Sequence, residues 1–168
     1  MTKLNNKCEL EFQADIVDLV NTAGGFAYKC NNRYMVGVAD LFIKPPNLYP
    51  LYLEVKKNTK AYCQHPEKLF LLDVTVPQRN FLRKCVRGGM PAAVLSIVLA
   101  TDTAFYRFFT QTELDNKYNT HRVDSEGAER LEYHVDCMQH VPFTDVADIY
   151  DGLINFHQDK LCKISIPC

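Results

Sequence analysis

One alternating segment, Leu51–Lys57, constrains the fold more than any other part of the chain. It alternates leucine or valine with polar and aromatic residues, which is the pattern of a β-strand with one face in the core. Period-two geometry places Glu54 and Lys56 side by side on the opposite face. A turn rich in proline and asparagine, residues 44–50, joins this segment to the preceding hydrophobic run VGVADLFI. If the two runs pair as a hairpin, Asp40 and Glu54 converge, with Lys56 within reach.

Two converging carboxylates with a neighbouring ammonium group suit the hydrolysis of a phosphodiester. Mg²⁺ takes oxygen ligands, usually one or two carboxylates together with water and phosphate oxygens. Such a cation activates water and neutralises charge on the phosphate, and a lysine beside it can orient that water. The alternative interpretation is an ordinary Glu–Lys pair on the exposed face of a half-solvated sheet.

Several segments follow one another in an order that is typical of a nuclease superfamily. They are CELEFQADIVDLVNTAGG, GFAYK, GVADLFI, LYLEVKK, and VPQRNFLRKCVRGG followed by PAAVLSIV. In these segments, which extend from Cys8 to Val98, the chain resembles the PD-(D/E)XK, or restriction-endonuclease-like, nucleases. Within that superfamily it is most similar to phage and bacterial VRR-Nuc domains and the related Holliday-junction resolvases. Ala39 stands where these proteins usually have a proline before the aspartate, and that proline carries no ligand.

The resemblance implies a catalytic site on the predicted hairpin. Asp40 and Glu54, with the carbonyl of Val55, would bind Mg²⁺, for which Mn²⁺ can substitute. Lys56 would assist the attacking water. Gln78, at the start of the second predicted helix, matches a glutamine that the family directs toward its catalytic site.

The first predicted helix offers two candidate acids. Its core stripe consists of apolar residues at helical spacing, Phe12, Ile16, Leu19 and Val20. Glu9 and Gln13 lie four residues apart and share another face. By alignment to the Gly24-Gly25 stop, the resemblance assigns to Glu9 the role of completing the catalytic site, with Glu11 as the rival candidate. For either acid, the alternative is an exposed carboxylate that favours the helix dipole.

The second predicted helix has the clearest boundaries and a basic face. Thr75 and Gln78 form a predicted capping box, Pro77 is tolerated in a first turn, and Gly88-Gly89 marks the end. Three arginines follow at steps of four and line one outer face. The predicted nucleic-acid-binding residues are Lys29, Lys57, Lys60, Arg79, Arg83 and Arg87. A solvated arginine face and a solvated strand-end lysine are the alternatives.

The distribution of charge favours a localised site for a polyanion. The whole chain carries 19 basic and 20 acidic residues, so it has no general attraction for nucleic acid. Residues 56–87 carry eight basic and two acidic residues, a net charge of plus six. Residues 110–160 carry four basic and eleven acidic residues, a net charge of minus seven. DNA would therefore lie along the first of these regions.

Length and patterning predict one α/β domain. Beyond the second helix, we expect strands at residues 92–99, 105–109 and 131–137, helices at 111–118 and 145–157, and a loop at 119–129. The predicted fold is a restriction-endonuclease-like core, residues 1–100, in which helices flank a central mixed β-sheet. Residues 101–168 would form a C-terminal α/β extension that packs on this core.

The resemblance implies a metal-dependent DNA endonuclease. Its substrates would be branched DNA such as Holliday junctions, cut by a homodimer in phage or bacterial DNA recombination or processing. The alternative is a nucleic-acid-binding or interaction module that retains the nuclease fold without cutting.

Cysteine content and hydropathy predict a reducing compartment. Seven cysteines, an odd number without a Cys-x-x-Cys pair, indicate a reducing cytoplasm, and the resemblance implies that of a bacterial cell or phage-infected host. No apolar stretch is long enough to cross a membrane, and the first residues, MTKLNNKCELEF, lack a signal-peptide core. We therefore expect no membrane partner. Cys63-x-His65 and Cys137-x-x-His140 are a further candidate, a zinc site, although neither half has the usual finger spacing.

Overall fold

The structure is a computed structural model that describes residues 4, 7–30, 37–58, 70–72, 74–99, 103–108, 120–123, 129–133 and 139–161. These residues contain three helices, α1 (Glu9–Thr22), α2 (Val76–Arg87) and α3 (Val146–Leu161). Their strands are β1 (Phe26–Lys29), β2 (Leu41–Lys44), β3 (Leu51–Asn58), β4 (Phe70–Leu72), β5 (Ala92–Val98), β6 (Thr103–Phe108), β7 (Thr120–Val123), β8 (Glu129–Tyr133) and β9 (Gln139–Pro142).

Six strands form a mixed sheet in the order β1-β2-β3-β5-β6-β9. The first three strands form an antiparallel meander, in which Tyr28 lies opposite Phe42 and Phe42 lies opposite Tyr52. β3 and β5 are parallel, so the chain crosses from one to the other through α2. β6 and β9 extend the sheet with antiparallel pairs, and a second sheet has the order β4-β8-β7.

The main sheet separates two hydrophobic cores. α1 and α3 pack on one face and share a core with β1, β2, β3 and β5. α2 packs on the opposite face, where Leu82 contacts a smaller core that includes Val94 and Val98. Strand β3 supplies both faces: Leu53 and Val55 point into the larger core, while Tyr52 packs against the smaller one. The result is a three-layer α/β arrangement with a mixed sheet in the middle.

Both N-terminal helices have the boundaries that their sequences predict. At the start of α2, the Thr75 hydroxyl accepts a hydrogen bond from the Gln78 amide, and the Gln78 side chain accepts one from the Thr75 amide at 3.0 Å. The predicted capping box is therefore confirmed. α1 ends at the predicted glycine pair, where Gly24 has a φ of 85° and the amide of Gly25 donates to the carbonyl of Val20.

Some predicted elements differ from the structure. The run VGVADLFI is a strand only from Leu41 onward, so Asp40 lies in a bend before β2. The predicted loop at 119–129 contains strand β7, and the strand predicted at 131–137 begins earlier, as β8. These two strands pair with each other, and their mixed polarity hides the period-two signal. The helix predicted at 111–118 lies outside the described residues.

The C-terminal part of the chain shares the core of the N-terminal part. β6 and β9 belong to the main sheet, and Ile149, Leu153 and Phe156 of α3 are buried together with Phe12 and Ile16 of α1. Within the described ranges, none of the helices has the length and apolar character needed to cross a bilayer.

Candidate functional site

The predicted hairpin brings two carboxylates together on the face of the sheet that α2 covers. β2 and β3 are antiparallel, with Leu41 opposite Leu53. One step further along the same register, Asp40 lies opposite Glu54. Lys56 follows two residues later on the same face of β3, as period-two geometry requires. Asp40, Glu54 and Lys56 therefore form the cluster predicted from the sequence.

Backbone hydrogen bonds fix Asp40 although it lies outside the strand. Its Oδ2 accepts a hydrogen bond from the amide of Val55 at 2.8 Å. Its own carbonyl accepts one from the amide of Cys30 at 2.8 Å, which continues the pairing of β1 with this segment. Gln13 of α1, itself buried, lies close enough to lower the pKa of Asp40 through a side-chain hydrogen bond. These contacts hold the Asp40 carboxylate against the backbone of β3.

Glu54 is the most deeply buried charged group described, with none of its surface exposed. Its Oε1 lies 2.6 Å from the ammonium of Lys56 and accepts a hydrogen bond from the side-chain amide of Gln78. Its other oxygen, Oε2, is buried and has no hydrogen-bond partner among the described residues. A buried acceptor without a donor costs free energy comparable to a lost hydrogen bond. This oxygen is suited to a ligand that supplies positive charge.

Burial makes both carboxylates harder to ionise. Burial raises the pKa of Glu54 to about 7, an effect that Lys56 opposes and that the charges of Asp40 and Glu9 reinforce. Burial likewise raises the pKa of Asp40, although the Val55 amide and the Lys56 charge lower it in part. Two neighbouring carboxylates with raised pKa values are the electrostatic pattern of a functional site.

Lys56 remains a cation in these surroundings. Burial alone would lower the pKa of its ammonium, but the nearby carboxylates of Glu54, Glu9 and Asp40 outweigh it and raise the pKa above its usual range. The side chain is 14% exposed, so its charge is largely enclosed with these carboxylates. Lys56 is therefore a fixed positive charge and not a proton acceptor at neutral pH.

The structure distinguishes the two candidate acids of α1. Glu9 accepts a hydrogen bond from the amide of Lys57 at 3.1 Å, and its charge raises the pKa values of Glu54 and Lys56. Glu11 is exposed and accepts a hydrogen bond from the Cys8 amide at 2.5 Å, which lowers its pKa and closes the first turn of α1. Glu9 thus lies beside the carboxylate cluster, whereas Glu11 caps the helix.

We expect Glu9→Gln and Glu11→Gln to have different effects. Loss of the Glu9 charge removes a group beside the site, so it should lower the rate of any reaction there by about tenfold or more. Glu11→Gln removes a capping contact, so it should lower the melting temperature slightly and leave the rate unchanged. Each variant is assayed for cleavage and for thermal unfolding. The reverse pattern would assign the role in the site to Glu11.

Close backbone packing joins the Asp40 segment to α2. Gly37 has a φ of 83°, which favours glycine, and lies against the first turn of the helix. A Cβ atom at this position would lie 2.3 Å from the carbonyl carbon of Pro77 and 2.7 Å from the amide nitrogen of Gln78. No larger residue fits this approach, which places Gln78 and Asp40 on either side of Glu54.

Two of the lysines predicted to bind phosphate contact the N-terminal part of the chain. Lys29 donates to the carbonyl of Leu10 at 2.8 Å, and the ammonium of Lys57 donates to the carbonyl of Lys7. Lys29 therefore helps to hold α1 against the sheet, and Lys57 holds the segment that precedes it. Lys60 lies outside the described residues.

The arginines of α2 are less solvated than the helical spacing predicts. Arg87 is exposed, but Arg79 and Arg83 are half-buried, with buried Nε atoms. The part of each side chain that is nearest the helix, including Nε, is therefore covered by other residues of the fold. Arg87 is the most exposed of the three, and phosphate binding by these arginines stays a prediction.

The cluster contains oxygen atoms of the kind that a divalent cation takes as ligands. Among the residues that the structure describes, no three His, Cys, Asp or Glu side chains converge into a metal-binding group. Mg²⁺ does not require one, since one or two carboxylates usually suffice. Asp40 and Glu54 supply two carboxylates, and the buried Oε2 of Glu54 offers an acceptor to a cation. Val55, the predicted source of a carbonyl ligand, already holds Asp40 through its amide.

One polar residue beside the site was not among the predicted ones. Ser96 is fully buried on β5, directly opposite Lys56, and it interrupts the apolar run AAVLSIV. A polar residue at a position that the period assigns to the core is the signal that could have found it. Gln13, which helical spacing places on the same face of α1 as Glu9, is 4% exposed.

The other candidate, a zinc site, lies on residues whose side chains the structure does not describe. Of the cysteines that it describes, Cys8, Cys30 and Cys85 form no disulfide.

No protein-family model matches the chain, and no curated protein sequence is significantly similar to it.

Proposed function

We propose that this protein is a metal-dependent endonuclease of the PD-(D/E)XK type, which hydrolyses phosphodiester bonds in DNA with Mg²⁺. Asp40 and Glu54 would hold the cation, with the Val55 carbonyl as a third ligand, and Mn²⁺ is expected to substitute. Lys56, Glu9 and Gln78 complete the site.

One observation carries the proposal: the buried Oε2 of Glu54, beside Asp40, has no partner among the described residues. Oε1 is satisfied by Lys56 and Gln78, which leaves Oε2 for a cation or for a proton shared with Asp40, whose pKa a hydrogen bond with Glu54 lowers. Burial of Glu54 raises its pKa to about 7, and a divalent cation would restore the ionised form. The arrangement destabilises the protein alone and favours the protein with a cation.

The residues of the site have separable tasks in hydrolysis. A bound divalent cation supplies positive charge to the phosphate and lowers the pKa of the attacking water. Lys56 holds a positive charge within reach of the same phosphate and orients the water. Gln78 fixes the orientation of Glu54, because its Oε1 is held by Thr75 while its Nε2 donates to the carboxylate. Glu9 keeps the end of β3 in place through the Lys57 amide.

DNA is the proposed polyanion, and branched DNA the proposed preferred form, acted on by a homodimer. The net charge of plus six over residues 56–87 supports a nucleic-acid substrate. The preference for branches rests on the resemblance to VRR-Nuc domains and Holliday-junction resolvases, as does action in recombination or DNA processing in the cytoplasm.

Incubation with labelled linear, flapped and four-way DNA, with and without Mg²⁺, tests the proposal. We expect cleavage only with Mg²⁺ or Mn²⁺, with branched substrates cut faster than linear duplex. RNA of the same sequence shows whether cleavage requires deoxyribose in the substrate. Binding without cleavage under all conditions would contradict the proposal and favour the non-catalytic nucleic-acid-binding module.

A second prediction concerns Arg87, the exposed arginine of α2. Replacing Arg87 with alanine should weaken DNA binding equally for unrelated sequences, because phosphate contacts carry no sequence information. The slope of log affinity against log salt should flatten by about 0.9 for the lost contact. Lys84→Ala is the matched control, since it removes the same charge from another exposed position of the helix. Equal effects of both variants would show that Arg87 contributes only its charge to binding and makes no particular phosphate contact.

A further inference from the structure

A row of aromatic side chains begins directly beside the carboxylate cluster. On β3, Tyr52 and Glu54 share a face, and Phe42 of β2 lies on that face too, two residues after Asp40 in the preceding bend. Phe42 lies opposite Tyr52 in the register. The aromatic pair is therefore the next rung of the hairpin after the carboxylate pair, about 6.6 Å away at the rise of a strand.

The row runs across the sheet as a chain of ring contacts. Phe81 of α2 meets Tyr52 edge to face, with ring centroids 5.0 Å apart, and Tyr52 meets Phe42 at 5.4 Å. Phe42 and Tyr28 are stacked at 5.3 Å, and Tyr28 contacts Phe26 at 5.6 Å. The rings thus extend from the helix, beside the site, to β1, the edge strand of the sheet.

The outer end of the row is open and has a basic residue within it. Phe26 is 57% exposed and Tyr28 is 45% exposed. Lys44 lies directly opposite Phe26, on the same face, and is exposed. α2 packs over Tyr52 at the inner end. Rings that are accessible on their outer side, next to a lysine and a candidate metal site, combine apolar faces with positive charge.

Building on the proposed function, we propose that this aromatic row, Phe26-Tyr28-Phe42-Tyr52, binds the unpaired bases of a single DNA strand whose phosphate lies at Asp40 and Glu54. Surfaces that bind single strands combine aromatic rings, on which successive bases stack, with positive charge that follows the backbone. The row supplies the rings, and Lys44 supplies positive charge at its outer end. Unpaired bases exist at the flaps and branch points of branched DNA, which gives that substrate class a physical basis here.

A second copy of the chain is a less suitable occupant of the same surface. Lysine is depleted from the centres of protein interfaces, because burying its charge is costly. Lys44 lies within the open end of the row, so a protein partner that covered the rings would also have to cover this charge. The same lysine favours a phosphate backbone.

Binding of oligonucleotides with the metal chelated tests the row without any cleavage. The probes are a labelled oligodeoxythymidylate and an abasic oligomer of equal length, which has the same phosphates but no bases. We expect the wild type to bind the first more tightly. The double variant Phe26→Ala/Tyr28→Ala should weaken binding of the thymidylate by about five- to a hundredfold for each base lost from the stack. Its affinity for the abasic oligomer should not change.

Three further variants sharpen the comparison. Tyr28→Phe keeps the ring and should bind like the wild type, whereas Tyr28→Leu keeps apolar bulk and should not. Tyr49→Ala is the control, because Tyr49 is an aromatic residue of similar exposure, 55%, outside the row. Equal affinities of wild type and double variant for the thymidylate would overturn the inference.

Two other occupants would also be revealed, and either would overturn it. If only the binding of oligouridylate depended on the rings, the strand that the row binds would be RNA and not DNA. A shift from dimer to monomer in sedimentation equilibrium, with unchanged oligonucleotide binding, would make the row a protein interface. Since no cleavage is measured, such results leave the nuclease proposal standing. Ring-dependent binding by a protein that never cuts DNA would contradict that proposal alone.

Discussion

Replacing Glu54 with glutamine should abolish DNA cleavage and leave the fold intact. The substitution preserves the shape of the side chain and its acceptor for Gln78, but it removes the charge that would hold a divalent cation. Loss of a single electrostatic catalytic group typically lowers a rate by about a hundred- to a thousandfold, and loss of a metal ligand should cost at least as much. Single-turnover cleavage of a flapped DNA, with circular dichroism to verify the fold, gives the comparison.

Two further variants separate the tasks within the site. Asp40→Asn removes the second carboxylate while keeping an acceptor for the Val55 amide, so it should reduce cleavage as strongly as Glu54→Gln. Lys56→Ala should reduce cleavage at all concentrations of Mg²⁺, because the lysine acts on water and phosphate. Cleavage by Glu54→Gln at the wild-type rate would remove the site assignment altogether.

Without divalent cations, the protein should lose stability as pH rises from about 4.5 to about 7, because of Glu54. Its pKa rises on folding from 4.5 to about 7, so the folded state holds the proton more tightly than the unfolded state. The stabilisation is fully present below pH 4.5 and is lost as pH rises through 7. At about 1.4 kcal/mol per pKa unit, the full change is on the order of 3 kcal/mol.

Thermal unfolding of the wild type and Glu54→Gln across this pH range measures the effect. The variant should lack the decline, and Mg²⁺ should reverse the decline in the wild type, because a cation favours the ionised carboxylate. Because the variant also loses the ion pair with Lys56, its melting temperature can differ from that of the wild type at every pH. The quantity compared is therefore the change of melting temperature with pH. Glu11→Gln is a control of opposite sign: the pKa of Glu11 is lowered, so its contribution disappears as pH falls. Parallel profiles for the wild type and Glu54→Gln would contradict the prediction.

Local patterns in the sequence were sufficient to predict the elements that form the site. Strand β3 follows from strict alternation in Leu51–Lys57, and α2 follows from its capping box and final glycine pair. These signals depend only on neighbours in the chain, so tertiary contacts did not alter them. The hairpin pairing then brought Asp40 and Glu54 together as expected.

Features that depend on distant contacts could not be predicted in the same way. The half-burial of Arg79 and Arg83 results from packing around α2, and the use of Lys29 to hold α1 results from an approach of two elements 19 residues apart. Helical spacing describes which residues share a face, but it does not say what covers that face. Burial of Glu54 and Ser96 has the same origin, because the period-two pattern fixes their side of the sheet and not its cover.

The packing of β3 on both sides has a consequence for how the gene for this protein can change in length. Leu53 and Val55 enter one core while Glu54 lies on the other face, so a single inserted or deleted codon within β3 would exchange the two sets. Leucine would then occupy the place of the carboxylate, and the acid would enter the core. By contrast, the turn at residues 44–50 ends before β3 begins. Natural variants of this chain should therefore differ in length at that turn and never within the strand.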